Sequence, residues 1–507
     1  MSGTEKNGLV TGRNPLLNLD FPDVDVIRVG EVYYMVSTTM YFLPGGVILR
    51  SYDLIHWEYA ARIYDELEDN EGWRLEDGKG VYSSGMWAAS LRYHEGTFYV
   101  CFVANDTHRT YLYRAQRIEG PWKRNLIEGF YPDCSLLFEE DGRTYIAYGH
   151  RVIYLTELNE ELTAPKKNGL HRMLADYGAS RQLPYEGTHI YHLNGRYYLF
   201  LIHSLREEWR RVETCLVSDS LEGPFTGGIV FNDDLGFFNQ GIAQGGIVDT
   251  PDGDWYAILF QDRGACGRIP VLLPVKWENG LPVLGKDGRA PLTVENRSTR
   301  PDYSYAPLID SDAFGGDRLK DVWEWNHLPD PDRWAMADGR LMLTTGKVEG
   351  DLTLVRNILT QRALFPACSA HVTIDGSRLR PGDVAGLCVL QYHWAYIGIK
   401  RLREGYELVV CMREKEEAEV KAVIPWRESW ATVRVSMDFR ELRDQAAFFY
   451  RGEDGWIPLG GMHQMKYLLK HFTGNRFGLF ALAQETAGGT AVFERFVYEK
   501  GMDAASI

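Results

Sequence analysis

The stretch DVDVIRVGEVYYMVS, residues 23–37, consists of two apolar, β-branched runs on either side of Gly30, with Tyr33 three residues past the glycine. A glycine between two such runs marks a tight hairpin, because it enters the left-handed backbone region with no Cβ penalty. The same pattern returns at Gly96 and Tyr99, Gly142 and Tyr145, Gly195 and Tyr198, and Gly253 and Tyr256. Successive glycines lie 66, 46, 53 and 58 residues apart. Periods of this size belong to propellers and solenoids.

Second hairpins fill the intervals: GVILRSYDLIHWEYAARI (46–63) follows the first glycine hairpin and TYLYRAQRIEGPWKRN (110–125) the second, each with short β-rich runs broken by an SYDL or EGPW turn. Four strands per repeat and five repeats follow. Residues 20–290 contain no sustained helical periodicity, which removes α/β barrels and doubly wound sheets. The expected fold is all-β, with a five-bladed β-propeller over residues 12–290. Residues 291–308, polar and proline-containing, read as a linker. Beyond them the Gly-x-x-Tyr repeat stops but strand-like runs continue, among them SAHVTIDG, GLCVLQ and ATVRVSMDF. A two-sheet β-sandwich over 309–500 is expected.

In a closed ring, equivalent offsets occupy equivalent places around the axis. Counting back nine residues from the second to fifth glycines gives Trp87, Asp133, Glu186 and Gln244, and counting back seven from Gly30 gives Asp23. Three carboxylates distant in sequence are thereby gathered beside a tryptophan. A carboxylate opening a buried innermost strand, as Glu186 does, is unusual without a chemical role.

Composition narrows the partners. The chain of 507 residues carries a formal net charge of −15, which argues against a nucleic-acid partner, since that would need clustered Lys and Arg. Aromatic residues make up 13%, suiting strands and carbohydrate-like surfaces. No apolar run is long enough for a membrane span, and the N-terminus carries no signal-peptide pattern. The seven cysteines are odd in number, scattered and without CxxC spacing. They indicate neither a disulfide framework nor a zinc site, and fit a cytoplasmic location. No metal ligand set is expected.

Residues 14–58, with an Asn-Pro, an Asp before an apolar strand, a YY pair and an SYDLIHW hairpin, resemble the opening of glycoside hydrolase family 43. MWAASLRYHEGTFYVCF (86–102), DCSLLFEEDGRTYIAYG (133–149), EGTHIYHLNGRYYLF (186–200) and QGGIVDTPDGDWYAILFQD (244–262) resemble that family's later blade motifs in the same order. From DAFGGDRLKDVWEWNH (312–327) onward the chain is similar to the concanavalin-like β-sandwich of the family's β-xylosidase branch.

The resemblance implies inverting hydrolysis of a terminal pentose, with Asp23 as general base, Asp133 as the carboxylate that orients and tunes the acid, and Glu186 as general acid. It implies that Trp87 and Arg268 line the sugar pocket; Met40 aligns with an aromatic position of that pocket and is read either as core or as a residue that loosens it. Two departures stand out: Val24 and Cys134 replace the prolines that many members place after the two aspartates, and Gln244 replaces an axial histidine often linked to a central calcium. An amide oxygen still accepts a bond from a metal-bound water but offers no imidazole. No cofactor is required for the chemistry; a structural calcium is what the resemblance adds.

Inversion needs an acid and a base roughly 6.5–9.5 Å apart, with the acid protonated while the base is ionised. Glu186 is therefore expected to have a raised pKa, from the charges of Asp133 and Asp23 and from desolvation, opposed by Arg268. The activity expected is release of terminal β-D-xylose from xylo-oligosaccharides, with cleavage of α-L-arabinofuranosides beside it. A predominantly α-L-arabinofuranosidase and a non-catalytic carbohydrate-binding propeller are the alternatives. The partner is a small oligosaccharide, with a homo-oligomer left open. In the second domain, QYHWAYIGIK (391–400), with His393 and Trp394, is expected to narrow the pocket. The charge-rich stretches 65–80 and 413–422 read most simply as solvated loops, the first alternatively as the rim of the entrance.

Overall fold

The computed structural model describes residues 8–469 and 471–501. Among them there is no α-helix; strands are joined by turns and a few single 3-10 turns. Five four-stranded antiparallel sheets follow one another along the chain, each ordered as its strands occur in sequence. Blade I spans 25–64, blade II 86–127, blade III 135–176, blade IV 186–231 and blade V 243–284.

The five repeat glycines all sit at the turn between a blade's first and second strands, with φ of +61°, +78°, +83°, +75° and +88° in chain order. A Cβ at any of them would meet no atom within 4 Å. Backbone conformation, not crowding, therefore demands glycine at these turns. The tyrosines three residues on lie in second strands, and Tyr33, Tyr145, Tyr198 and Tyr256 are buried. Tyr198 and Tyr256 also donate from their hydroxyls to the carbonyls of Gly280 and Glu295, at 3.0 and 2.7 Å. The repeat thus combines a turn with an anchor for the strand leaving it.

Blade V meets blade I to close the ring. The Arg28 guanidinium grips Asp249 through its carboxylate and its carbonyl, the latter at 3.1 Å. A separate two-stranded clasp pairs Leu9–Arg13 with Thr293–Arg297. The second of these strands lies inside the stretch read from sequence as a linker. Farther along that stretch, Tyr303 and Tyr305 bond to blade I, at Glu58 and the Tyr52 N–H. The polar composition of 291–308 hid a segment tied to the propeller by backbone pairing and tyrosine hydroxyls, neither of which needs an alternating apolar pattern.

The second domain is a sandwich of two seven-stranded antiparallel sheets. Alternate residues point inward: Ala370, Val372 and Ile374 from one sheet, and Leu387, Val389, Ile397 and Ile399 from the other, belong to one apolar cluster. That cluster also takes in Leu19, Phe21 and Val24 of the propeller, so the two domains share a core. Beside it, Glu324 is fully buried among Arg62, Arg362 and Arg476. Burial alone would raise this carboxyl, but the guanidiniums of Arg362, Arg476 and Arg62 hold it well below its ordinary range. Removing one member of such a cluster leaves a buried charge unpaired and costs about 3–5 kcal/mol.

The charge-rich stretch 65–80 departs from the solvated loop expected. Trp73 is fully buried, its indole N–H donating to Asp106, and Leu67 and Leu75 are buried too. The Trp73 carbonyl accepts the Leu328 N–H of the sandwich at 3.0 Å. The loop's exposed side chains are charged ones and Asn70, while its apolar residues pin blade I to the second domain.

Candidate active site

Each blade delivers one side chain to the ring axis, from its innermost strand or from just ahead of it. Asp23, Asp133 and Gln244 have φ of +52°, +50° and +57°, a region a non-glycine residue rarely enters. Strand register slips between Met86 and Ala89, between Glu186 and His189, and between Ala243 and Gly245. Such bulges turn a side chain out of the sheet's alternation, and here they aim Trp87, Glu186 and Gln244 at the axis. Asp23 and Asp133 reach the same level by standing just ahead of the paired strand. Local backbone strain of this kind concentrates at functional sites.

The result is a cavity of about 170 Å³ lined by Asp23, Trp87, Ala88, Asp133, Leu183, Glu186, Gln244, Arg268, Leu469 and Phe472. It falls below the roughly 300–1,000 Å³ of sites for drug-sized ligands, which suits a single sugar ring. Six of the seven residues expected from sequence line it. Met40 does not: it is fully buried in a neighbouring apolar cluster, its backbone bridged to Met86. The Met40 carbonyl lies 2.4 Å from where a Cβ on Gly85 would stand. Met40 thus packs behind the Trp87 strand, away from the sugar.

On one side of the pocket, Thr38 donates to Asp23 Oδ2 at 3.0 Å and Arg268 Nη1 bonds to Oδ1. The Arg268 guanidinium lies between two aromatic rings, its carbon 4.4 Å from the centroid of Phe260 and 4.5 Å from that of Phe472. On the other side, the Gly187 N–H donates to Asp133 Oδ2 at 2.9 Å. Residue 187 must be glycine: its φ is +64°, and a Cβ would stand 2.7 Å from the Gln244 side chain. Glu186 keeps 23% of its side chain exposed, with His150 Nε2 3.5 Å away on the rim.

Burial pushes the Glu186 carboxyl above its ordinary range, Arg268 and Arg211 pull it back, and Asp23 pushes it up. Burial also raises Asp133, and the charge of Glu186 raises it further. The direction expected for Glu186 is found, with burial rather than neighbouring carboxylates as the leading cause. Two raised carboxyls side by side retain a proton near neutral pH. Trp87 meets Phe472 edge to face at 5.7 Å, and its buried indole N–H has no protein partner, a donor free for a hydroxyl.

The second domain does narrow the pocket, but through a segment the sequence reading missed. Leu469 and Phe472 form one wall, and the Tyr467 hydroxyl accepts from Arg268 Nε at 3.0 Å. Trp394 is buried elsewhere, donating to Asp351, and His393 does not line the cavity. The segment QMKYLLKHF (464–472) lies outside the propeller repeat, so no offset selects it. Of the histidines after the acid, His203 is buried between the Ser204 carbonyl and the Thr214 hydroxyl, both at 2.8 Å, as a structural residue.

The resemblance also implies a calcium at the axis. The donors there are the Gln244 side chain and, behind it, Glu213, whose Oε2 accepts the Gln244 N–H at 2.7 Å. Burial pushes Glu213 up to about 8, so it is neutral at pH 7. Among the described residues no group of three His, Cys, Asp or Glu is placed to hold a metal ion. One amide and one protonated carboxyl do not fit a directly ligated calcium, and no step below passes through one.

A closed ring whose strained inner strands converge carboxyls, a guanidinium and a tryptophan on a one-sugar pocket defines a carbohydrate-cleaving propeller. Residues 12–282 match the model of glycosyl hydrolases family 43, and residues 311–499 that of the beta xylosidase C-terminal concanavalin A-like domain. The chain belongs to glycosyl hydrolases family 43 and is a glycoside hydrolase. It is 26% identical to a beta-xylosidase of Formosa agariphila, over 96% of this chain and 90% of that protein. It is also 26% identical to xylosidase/arabinosidase 43B of Humicola insolens, over 96% and 97% of the two chains. A solved bifunctional GH43-CE protein of Bacteroides eggerthii shares the fold at a TM-score of 0.91 and 38% identity. The match covers 97% of this chain and 64% of that one.

Proposed function

We propose that the protein is an inverting, exo-acting glycosidase that releases terminal β-D-xylose from short xylo-oligosaccharides and also cleaves terminal α-L-arabinofuranosides. The observation that carries this reading is the pocket itself: three carboxyls from three blades, closed on one side by Leu469 and Phe472 of the sandwich. A closed pocket of this size receives a chain end rather than a chain middle. The names of the Formosa and Humicola relatives support the two pentoses.

Asp23, oriented by Thr38 and Arg268, takes a proton from water as the water attacks the anomeric carbon. Glu186 gives its proton to the departing glycosidic oxygen. The glycosidic C–O bond breaks, a C–O bond to water forms on the opposite face, and the configuration inverts. The Gly187 N–H pulls the Asp133 carboxyl back toward its ionised form, against burial and the charge of Glu186, and the two raised carboxyls together hold the proton that Glu186 delivers. Trp87 and Phe472 wall the sugar, and Arg268, its Nη1 held by Asp23 and its Nε by Tyr467, has Nη2 left to donate to a hydroxyl. The reaction calls on no cofactor, and its partner is the small oligosaccharide substrate. All seven cysteines are buried and unpaired, which supports a reducing compartment such as the cytoplasm.

The test is hydrolysis of p-nitrophenyl β-D-xylopyranoside and p-nitrophenyl α-L-arabinofuranoside by the wild type and by Glu186→Gln, with both folds checked by thermal melting. Cleavage by the wild type is expected, with a folded Glu186→Gln impaired on both aryl glycosides, though less than on a natural disaccharide whose leaving group needs the proton. A folded wild type inactive on both substrates overturns the pentosidase reading.

A further inference from the structure

Arg268 does not hold itself in place. Its Nη1 is committed to Asp23, and its Nε donates to the Tyr467 hydroxyl at 3.0 Å and lies 3.5 Å from Asp262 Oδ1. The Tyr467 hydroxyl in turn donates to Asp262 Oδ1 at 3.2 Å. Asp262 Oδ2 is bound by Arg211 Nη1, and the side chains of Arg211, Asp262 and Arg268 are all at least nine-tenths buried. The chain of bonds runs Arg211, Asp262, Tyr467, Arg268, Asp23. It begins in blade IV, passes to the end of blade V's second strand, leaves for the sandwich, and returns to blades V and I at the pocket.

We propose that Tyr467 is a positioning residue for the glycosidase reaction, with Asp262 and Arg211 as its anchor, and that through it the sandwich takes part in catalysis rather than only walling the pocket. The inference rests on the reading of Asp23 as base and Arg268 as its partner. A hydroxyl is suited to this place because it accepts from Arg268 and donates to Asp262 at once, fixing the direction of both bonds. Burial and the neighbouring Asp262 hold Tyr467 in its neutral form, against the pull of Arg268 and Arg211. The stacking on Phe260 and Phe472 sets the plane of the guanidinium; Tyr467 and Asp262 set its rotation within that plane. Without the hydroxyl, the fork can turn in its slot, and Asp23 loses the bond that orients it toward water.

Charge complementarity supports the same reading. Arg211 and Arg268 both lower the affinity of Glu186 for its proton. Asp262, placed between them, offsets the two buried cations.

The test is a double-mutant cycle of Tyr467→Phe and Arg268→Lys, read in kcat/KM with p-nitrophenyl β-D-xylopyranoside, with a crystal structure of Tyr467→Phe beside it. Tyr467→Phe is expected to melt within a few degrees of the wild type, to lose about 10- to 100-fold in kcat, and to move KM less than about threefold. In the Arg268→Lys background, where a lysine cannot bridge Asp23 and Tyr467 together, the same change is expected to cost less than about threefold. A merely structural hydroxyl would cost the same factor in both backgrounds, and that result overturns the proposal. The crystal structure should show the Arg268 fork rotated off Asp23; an unmoved Arg268 also overturns it, whether or not the protein cleaves the substrate. Inactivity of the wild type would sink the functional reading instead, so the two failures are distinguishable. Should Tyr467→Phe fold poorly, Asp262→Asn removes the same anchor from the propeller side and is expected to show the same loss in kcat.

Discussion

The propeller and the sandwich contribute to one pocket by opposite means. Each blade gives one axial side chain, from a strand whose backbone is bulged or left-handed, and the five gifts are spread over more than two hundred residues. The sandwich gives Tyr467, Leu469 and Phe472 from a single short segment. The propeller supplies the groups that exchange protons, while the sandwich supplies walls and one hydroxyl. The contrast teaches that repetition places chemistry by symmetry, whereas an appended domain places it by contact.

If that division is right, substitutions at blade positions abolish turnover and substitutions in the sandwich segment mostly tune binding or alignment. The largest effect is expected for Asp23→Asn: a loss of about 10³- to 10⁴-fold in kcat with little change in the melting temperature, since general-base removal typically costs 10²–10⁴-fold. Retained activity in that variant would break the comparison outright. Glu186→Gln should lose about 10²- to 10³-fold on xylobiose. Its loss on p-nitrophenyl β-D-xylopyranoside should be smaller, because a nitrophenolate departs with less need of a proton. Equal losses on the two substrates would remove Glu186 from the acid role.

On the sandwich side, Phe472→Ala opens a wall and uncovers Arg268. It is expected to raise KM about tenfold and lower kcat less, the pattern of lost binding rather than lost chemistry. A reversed split would mean that the sandwich does more than wall and align. The pH profile sharpens the propeller side. Because Glu186 is raised above its ordinary range, kcat/KM should fall as pH rises through that raised value and the acid loses its proton. Asp133→Asn removes a neighbouring charge, so this alkaline limb should move to lower pH. A limb unchanged in that variant would deny the coupling.

The smallest effect concerns the floor beneath Gln244. Glu213, pushed up to about 8 by burial, binds a proton in the folded state that the unfolded chain releases near pH 4.5. The native state binds more protons across that interval, so stability falls as pH rises from about 4.5 toward 8. Glu213→Gln, which keeps the shape without the titration, should flatten the decline in melting temperature over that range. An equally steep decline would show that Glu213 is ionised in the fold.

The uneven legibility of the sequence follows the same division. Because Gly30, Gly96, Gly142, Gly195 and Gly253 must adopt positive φ at equivalent turns, the blades announce themselves, and fixed offsets then reach Asp23, Trp87, Asp133, Glu186 and Gln244. Arg268 came from the family resemblance, since it opens a third strand and shares no offset with the others. Met40 came the same way, read as either core or pocket, and its side chain lies in the core although its position in the chain is next to the pocket. Phe472 and Tyr467 were hidden because the sandwich has no internal repeat to index them. Trp73, in a run of charges, was hidden by composition, although its burial against the sandwich gives that loop its purpose.

The most direct test of the account is the configuration of the first sugar released. Xylobiose hydrolysis by the wild-type protein would be followed by proton NMR before mutarotation scrambles the anomers. Initial formation of α-xylose, with β-xylose appearing only later, is the result expected if Asp23 activates water across the ring from Glu186. Initial formation of β-xylose would mean retention through a covalent intermediate, and would contradict the roles given to both carboxyls.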